Sequence, residues 1–182
     1  TKRLVFESID IAALPEEASY DCVVACEVME HFEDDQTFLL KIHRLLKPQG
    51  QIILSVPARM KFWSIHDEIT GHYRRYERQQ IIDLYQAAGF ENINVIAYGY
   101  PFINMLRRLR VLYAARQACE KTKWSKIQQT QRSGLHHIPT KFHWLGLLIN
   151  PYTLLPLNWI ARLFNKTNLS EGYIAIAEKP IR

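Results

Sequence analysis

The sequence predicts an α/β fold built around a mainly parallel sheet, and residues 20–57 carry that prediction. The short apolar run from Val23 to Ala25 is typical of a strand buried on both faces of a parallel sheet. After Asp34 the spacing changes to steps of three and four, the pattern of an amphipathic helix, at Phe38, Leu39, Ile42, Leu45 and Leu46. The apolar run from Gln51 to Val56 predicts the next strand.

The helix between these two strands has recognisable ends. Asp34 and Asp35 suit the positive N-terminal end of its dipole, and Lys47-Pro48-Gln49-Gly50 stops it, because proline disfavours helical geometry in the preceding residue. A strand, a helix and a strand within forty residues make a parallel crossover. Ligands bind beyond the carboxyl ends of such strands, so the loops near Cys26 and Pro57 are expected to hold the site.

Three ionisable residues follow the first strand at positions i, i+3 and i+4. If this segment is helical, Glu27, Glu30 and His31 project from one face and can converge on one point. Two carboxylates and an imidazole so placed could bind a divalent cation or serve as a general acid and base. The alternative is a solvated helix start, where glutamates are favoured.

The order of motifs around this unit resembles a class I S-adenosylmethionine-dependent methyltransferase of the type 11/12 kind. The matching run is LPEEASYDCVVACEVMEHFEDDQTFLLKIHRLLKPQGQIILSVP. It contains a Leu-Pro, an aromatic-Asp pair opening a strand, a Glu-His after that strand, and a helix ending in Leu-Lys-Pro-x-Gly. The match extends from about Leu4 to Pro57, with Gln49 in place of the family's usual glycine. The resemblance implies a Rossmann-like sheet, with S-adenosylmethionine as methyl donor.

The resemblance also assigns cofactor-binding residues. Residues 4–8 become the family's third strand, and Asp10 matches the residue that bonds the adenine amino group, with Ile11 packed near the ring. Cys26 and Glu27, at the end of the fourth strand, are assigned to the cofactor site as well. Without the family, Asp10 is read as a turn cap.

The family's first two strands, with their glycine-rich cofactor loop, would precede Thr1. The chain has seven glycines, no Gly-x-Gly and no initiating methionine, so we interpret it as the C-terminal portion of a longer protein, an incomplete sheet with strands three to seven. Such a sheet has an open edge through which the chain could associate with itself. We expect the chain alone to bind S-adenosylmethionine weakly.

A loop rich in polar and aromatic residues follows the fifth strand. Its Asp67, His72, Arg74 and Tyr76 form an Asp-x-x-x-x-His-x-Arg-x-Tyr pattern that resembles a bacterial branch of these methyltransferases. We predict that Asp67, Arg74, Arg75 and Tyr76 contact the substrate. The alternative is a solvated basic turn with Tyr76 in the core.

The resemblance suggests catalytic roles for Glu30, His31 and His72. Glu-x-x-Glu-His after the fourth strand is similar to the set that two methyltransferase branches use to hold magnesium, and His72 could complete it, so Glu27, Glu30, His31 and His72 are the predicted ligands of a Mg²⁺ ion. Such a metal lowers the pKa of the attacked hydroxyl. The alternative is that His31 acts without a metal, as a base or a substrate contact.

The chain divides into a partial core over residues 1–100, an insertion over 101–170 and a final antiparallel core strand over 171–182. Residues 1–100 hold ten Lys/Arg and fifteen Asp/Glu, whereas residues 101–182 hold thirteen and three. The insertion is helical, basic and apolar, and we interpret it as a lid or as an element that dips into an anionic membrane surface. The pair His136-His137 is interpreted as surface loop.

Composition limits the remaining possibilities. The 182 residues, 48% of them hydrophobic, suit one ordinary domain, and three cysteines without Cys-x-x-Cys spacing favour a reducing compartment. No apolar run is long enough to span a bilayer, so we expect a cytoplasmic protein, with the inner membrane face as a peripheral location. Nucleic acid is the least favoured anionic partner, because no binding motif for it is present.

The sequence therefore predicts a transferase that O-methylates a small-molecule or lipid-like acceptor. Two alternatives remain open. The first is a truncated, non-catalytic module that binds a membrane or a partner, and the second is an RNA 2′-O-methyltransferase.

Overall fold

The structure is a computed structural model that describes residues 18–107, 109, 111–112 and 151–181, with the backbone alone of residues 151–154. Several predictions lie outside the described residues. They concern the third strand with Asp10 and Ile11, the central part of the insertion with His136 and His137, and Cys119.

A four-stranded mixed sheet forms the centre of the described chain. Its strands are β1 (Tyr20–Cys26), β2 (Leu46–Pro57), β3 (Glu91–Tyr98) and β4 (Gly172–Glu178). Their order in the sheet is β1-β2-β4-β3. Strands β1 and β2 are parallel, and β4 runs antiparallel to both β2 and β3. The parallel crossover and the antiparallel final strand that the sequence predicts are therefore present.

Among the described residues, four α-helices and two 3-10 turns lie between the strands, in addition to a helical stretch after β3. The helices are α1 (Asp35–Leu45), α2 (Ile65–Thr70), α3 (Arg78–Ala87) and α4 (Pro151–Arg162), and the turns are Met29–His31 and Met60–Phe62. Residues 102–107 are also helical. Helix α3 ends as predicted before Gly89, whose φ of 88° lies in the left-handed region that glycine adopts readily.

Helix α1 begins as predicted, but the strand after it starts earlier than expected. Asp34 is the N-cap, and its carboxylate accepts a hydrogen bond from the Thr37 backbone N–H at 2.9 Å. Strand β2 starts at Leu46 rather than Gln51, and Leu46 pairs with Tyr20. Pro48 explains the difference, because it disfavours helical geometry at the preceding residue and the chain turns directly into the sheet.

The core lies where α1 and α3 pack against the sheet. It is formed by buried side chains from both helices, from β2 and from β4, including Phe38, Leu39, Ile42, Ile81, Tyr85, Ile52, Leu54, Val56 and Tyr173. Each fully buried aliphatic or aromatic side chain of this kind contributes about 1.5–3 kcal/mol. The core holds the carboxyl ends of β1 and β2 side by side.

Strand β1 is more exposed than its apolar run predicts. Val24 is 60% exposed, and Val23 and Ala25 are only partly buried. Burial of β1 on both faces is therefore wrong for this chain. The reason is that helices bury the faces of a sheet, and among the described residues α1 and α3 pack on β2, β3 and β4 rather than on β1. In addition, β1 is the edge strand of the described sheet. Self-association through this edge stays a prediction.

The described parts of the insertion expose large apolar side chains. Trp159 is 72% exposed and Leu163 is 78% exposed, and Leu109 and Met105 on the preceding helical residues are also exposed. In the part of the chain that the structure describes, no helix combines the length and apolar character that crossing a membrane requires. Whether this surface is a lid or a membrane contact stays a prediction.

Candidate active site

Two segments meet beyond the carboxyl ends of β1 and β2. The Met29–His31 turn follows β1, and the loop before α3 returns beside it, where Tyr73 donates its backbone N–H to the Glu30 carbonyl at 2.9 Å. Tyr76 forms an isolated bridge with Ala58, just after β2. These backbone contacts fix the two segments against each other and bring His72 next to Glu30.

Glu30, His31 and His72 form a compact cluster at this place. Nε2 of His31 lies 3.9 Å from Oε1 of Glu30, and Nε2 of His72 lies 3.8 Å from the same oxygen. The two imidazole rings meet edge to face, with centroids 4.8 Å apart. One donor atom from each residue lies within 4.8 Å of the others, so the three could together hold a metal ion.

The carboxyl group of Glu30 is fully buried, and neither of its oxygens has a hydrogen-bond partner among the described residues. Burial raises the pKa of Glu30 from 4.5 to about 8, and the nearby charge of Glu27 adds to the rise. A buried carboxyl group without a partner is costly to maintain. The Glu30 carboxyl group is therefore a candidate to bind a ligand.

The two histidines differ in their surroundings. The His31 side chain is 12% exposed, and burial, together with the neighbouring His72, lowers its pKa to about 4. His31 is therefore a neutral imidazole at pH 7. The His72 ring contacts Asp67 through its other nitrogen, because Nδ1 lies 3.0 Å from Oδ1 of Asp67.

Glu27 lies apart from this cluster. Its φ of 53° is left-handed, and it ends β1 rather than starting a helix, so the predicted helical face with Glu30 and His31 is wrong. Oε1 of Glu27 accepts hydrogen bonds from Ser55 Oγ at 3.0 Å and from Tyr98 Oη at 3.3 Å. Burial and this carboxylate raise the pKa of Tyr98.

Comparison with known proteins identifies the family. A family model described as "Methyltransferase domain" matches residues 4–95, half of the chain. This chain belongs to the methyltransferase family. The predicted membership of the class I S-adenosylmethionine-dependent enzymes is confirmed.

The relatives agree with this assignment. A provisionally assigned S-adenosylmethionine-dependent methyltransferase of Mycolicibacterium smegmatis is 34% identical over 85 residues, which are 45% of this chain and 33% of the relative. The chain therefore spans about a third of the length of that curated relative.

Solved structures agree on the fold. A methyltransferase from Thermotoga maritima matches with a TM-score of 0.52 at 12% identity, over 93% of this chain and 61% of that one. A provisionally assigned sarcosine dimethylglycine methyltransferase from Galdieria sulphuraria matches with a TM-score of 0.50 at 14% identity, over 94% and 57%. The α/β methyltransferase fold is shared.

The four residues predicted to contact the substrate are buried or form hydrogen bonds within the chain. Arg74 donates to Asp35 at 2.8 Å, Arg75 donates to Asp67, and Tyr76 is fully buried in the core. Asp67 is also fully buried. The burial of Tyr76 matches the alternative that we kept open for this loop, and a substrate role for the four residues stays a prediction.

The predicted cofactor residues are only partly described. Asp10 and Ile11 lie outside the described residues, whereas Cys26 is an exposed free thiol at the end of β1. Sequence reasoning missed Ser55 and Tyr98, which join Glu27 at the ends of β2 and β3. The sequence pattern could have identified both residues, because each has a polar group near the carboxyl end of an apolar strand.

Proposed function

We propose that the protein containing this chain transfers a methyl group from S-adenosylmethionine to a hydroxyl oxygen of a small-molecule or lipid-like acceptor. The cluster of Glu30, His31 and His72 carries the proposal. It lies beyond the ends of two parallel strands, where such folds bind ligands, and its carboxyl oxygens lack partners among the described residues.

The donor supplies an electrophilic methyl group on a positively charged sulfur. The chain has two tasks in that reaction: to align the acceptor oxygen and to take its proton. Nε2 of His72 and Oε1 of Glu30 are 3.8 Å apart. One hydroxyl oxygen can therefore lie within hydrogen-bond distance of both, because two such bonds of about 2.8 Å span this gap. His72 would take the proton of that hydroxyl as its oxygen forms a bond to the methyl carbon and the bond between that carbon and the donor sulfur breaks.

A metal-assisted version is the second candidate. Two donors bound at about 2.1 Å to one ion lie at most about 4.2 Å apart. The distances of 3.8 and 3.9 Å to Glu30 satisfy this limit, whereas the full set of three donor atoms spans up to 4.8 Å and would have to close slightly around an ion. The unpartnered carboxyl of Glu30 fits a cation. Two imidazoles suit Mn²⁺ or Zn²⁺ better than Mg²⁺, which prefers oxygen ligands. Glu27 is not needed for this set, because Ser55 and Tyr98 engage it.

The test uses the full-length product of the gene and this chain in parallel. Calorimetry with S-adenosylmethionine measures donor binding, and transfer of a labelled methyl group is followed with a catechol and with a total lipid extract as acceptors. Donor binding with transfer to either acceptor supports the proposal. Donor binding without transfer to any acceptor favours the non-catalytic alternative, and salt-sensitive labelling of added RNA favours the RNA alternative.

A further inference from the structure

The carboxylate of Asp67 is the centre of a buried hydrogen-bond network behind His72. It is fully buried on helix α2, lies 3.0 Å from Nδ1 of His72, and accepts from Arg75 Nε at 2.7 Å and from Arg75 Nη2 at 3.1 Å. It also accepts from the backbone N–H of Ser64 at 2.9 Å and from its hydroxyl at 3.1 Å. All these donors belong to the chain itself.

The network keeps Asp67 ionised. Nε and Nη2 of Arg75 and the backbone N–H of Ser64 can only donate, and all three point at the two oxygens of Asp67, which is the arrangement of an ionised carboxylate. An ionised carboxylate only accepts hydrogen bonds. Nδ1 of His72 must therefore carry a hydrogen, and the lone pair of the neutral ring is on Nε2.

Arg75 secures the carboxylate in turn. Its Nε and Nη2 donate to the two oxygens of Asp67, and its Nη1 donates to the carbonyl of Ala58 at 3.3 Å. A two-point contact of this kind fixes the plane of the carboxylate as well as its charge. Because Ala58 directly follows β2, the network links the orientation of His72 to the end of the sheet.

We propose that Asp67 and Arg75 are positioning residues that hold His72 in a single tautomer, with Nε2 facing Glu30 and the acceptor. The role of this tautomer in catalysis rests on the proposed function, whereas the tautomer itself can be measured without any activity. It gives Asp67 and Arg75 a role other than the direct substrate contact that the sequence predicts. Neither residue needs to touch substrate, because both act through the imidazole.

The tautomer is measured directly by ¹⁵N NMR on this chain with labelled histidine. Two-bond correlations from the ring carbon protons distinguish a protonated from an unprotonated ring nitrogen, and the spectrum of His72→Gln assigns the signal. We expect a protonated Nδ1 and an unprotonated Nε2 on His72. A protonated Nε2, or a mixture of the two tautomers, in the unchanged chain would overturn the proposal without any variant.

Asp67→Asn tests the cause of the preference. The amide has one acceptor oxygen and one donor nitrogen, so it cannot satisfy His72, Arg75 and Ser64 together, and we expect His72 to populate both tautomers. The matched control is Asp35→Asn. Asp35 accepts from Arg74 at 2.8 Å in a similar pair but is not part of the hydrogen-bond network of His72 among the described residues, so the tautomer should stay unchanged.

The outcomes separate this inference from the proposed function. If His72 keeps one tautomer in folded Asp67→Asn, the positioning role is wrong, whatever the protein methylates. If the tautomer is lost as expected while the full-length protein fails to bind S-adenosylmethionine, the proposed function fails and the network stands. Should Asp67→Asn not fold, the tautomer of the unchanged chain and Arg75→Lys, which keeps the charge but loses the two-point contact, decide the question.

Discussion

Nε2 of His72 lies 3.8 Å from Oε1 of Glu30, across a gap too long for a direct hydrogen bond. Nε2 of His31 lies 3.9 Å from the same oxygen. Donor atoms of Glu30, His31 and His72 thus lie within 4.8 Å of one another. An acceptor hydroxyl and a metal ion are the two occupants that this chemistry favours, and they make different experimental predictions.

The first prediction separates chemistry from donor binding. In the full-length protein, Glu30→Gln or His72→Gln should lower the rate of methyl transfer by about 10²-fold or more, because positioned acid-base groups contribute on that scale. The dissociation constant of S-adenosylmethionine, measured by calorimetry, should change little. Glu33→Gln, an exposed carboxyl close by, is the control and should retain activity.

A chelator then distinguishes the two occupants. Loss of transfer in chelator, restored by Mn²⁺ or Zn²⁺, supports the metal-assisted version. Transfer that persists in chelator but is abolished by His72→Gln supports the metal-free base. Equal loss of donor binding and transfer in both variants would instead place these side chains against the cofactor.

Much of the fold could be predicted from the sequence, because its signals are local. Proline at position 48, the apolar spacing from Phe38 and the glycine at position 89 each act within a few residues, and the elements that they predict are present. Strand β1 was misjudged for a different reason. Its burial depends on which helices cover its two faces, and the composition of a strand does not contain that information.

The candidate site was predicted in its residues but not in its geometry. Spacing singles out Glu30 and His31, the family resemblance adds His72, and the three side chains lie together. Glu27 was grouped with them because i, i+3 and i+4 spacing assumes a helix, whereas its left-handed φ of 53° directs it to Ser55. The role of Asp67 depends on contacts with His72 and Arg75 that no local pattern specifies.

The second prediction concerns stability and pH. The pKa of Glu30 is 4.5 in an exposed carboxyl and about 8 in the folded chain, so the folded state retains a proton that the unfolded state loses. Stability from this group is fully present below about pH 4.5 and is lost progressively until the pH passes about 8. Melting temperatures from pH 5 to 9, taken in chelator, should therefore fall less for Glu30→Gln than for the unchanged chain.

Glu33→Gln provides the matched control for this measurement. It removes an exposed carboxyl one turn away and should follow the pH dependence of the unchanged chain. Identical pH dependence in Glu30→Gln and the unchanged chain would mean that the Glu30 carboxyl does not hold its proton in the folded state.

The third prediction concerns the contact between Gly172 and Tyr98, which face each other across β4 and β3. A Cβ atom added to Gly172 would lie 2.6 Å from the Tyr98 hydroxyl oxygen, far inside contact distance. Gly172→Ala should therefore cost about 1–3 kcal/mol, as overpacking does. Thermal unfolding measures the loss, and Tyr98→Leu is the partner for a double-mutant cycle.

If the tyrosine ring is the obstacle, Gly172→Ala should cost clearly less in the Tyr98→Leu background than in the unchanged chain. Equal costs in both backgrounds would assign the effect to the strand backbone. Because Tyr98 also donates to Glu27, Tyr98→Phe controls for loss of the hydroxyl alone.

The last prediction concerns the exposed apolar surface of the insertion, formed by Leu109, Trp159 and Leu163. Residues 101–182 hold thirteen Lys/Arg and three Asp/Glu, and each cation near an anionic bilayer contributes about 1 kcal/mol. We expect the chain to sediment with vesicles that contain anionic lipid at low salt and to be released as salt screens the attraction. Vesicles of neutral lipid should bind little of the chain.

Two sets of variants identify the contact. Changing Arg107, Arg108 and Arg110 to Gln should remove most of the binding to anionic vesicles. Because Arg107 also donates to the Phe62 carbonyl at 3.1 Å, the folding of this variant must be checked. Trp159→Ser and Leu163→Ser should weaken binding because tryptophan and leucine enter the boundary of the bilayer. Ile181→Ser, equally exposed but outside the insertion, is the control and should bind normally. Binding that is absent, or indifferent to all five substitutions in the insertion, would favour a lid over a water-soluble acceptor and count against a lipid-like one.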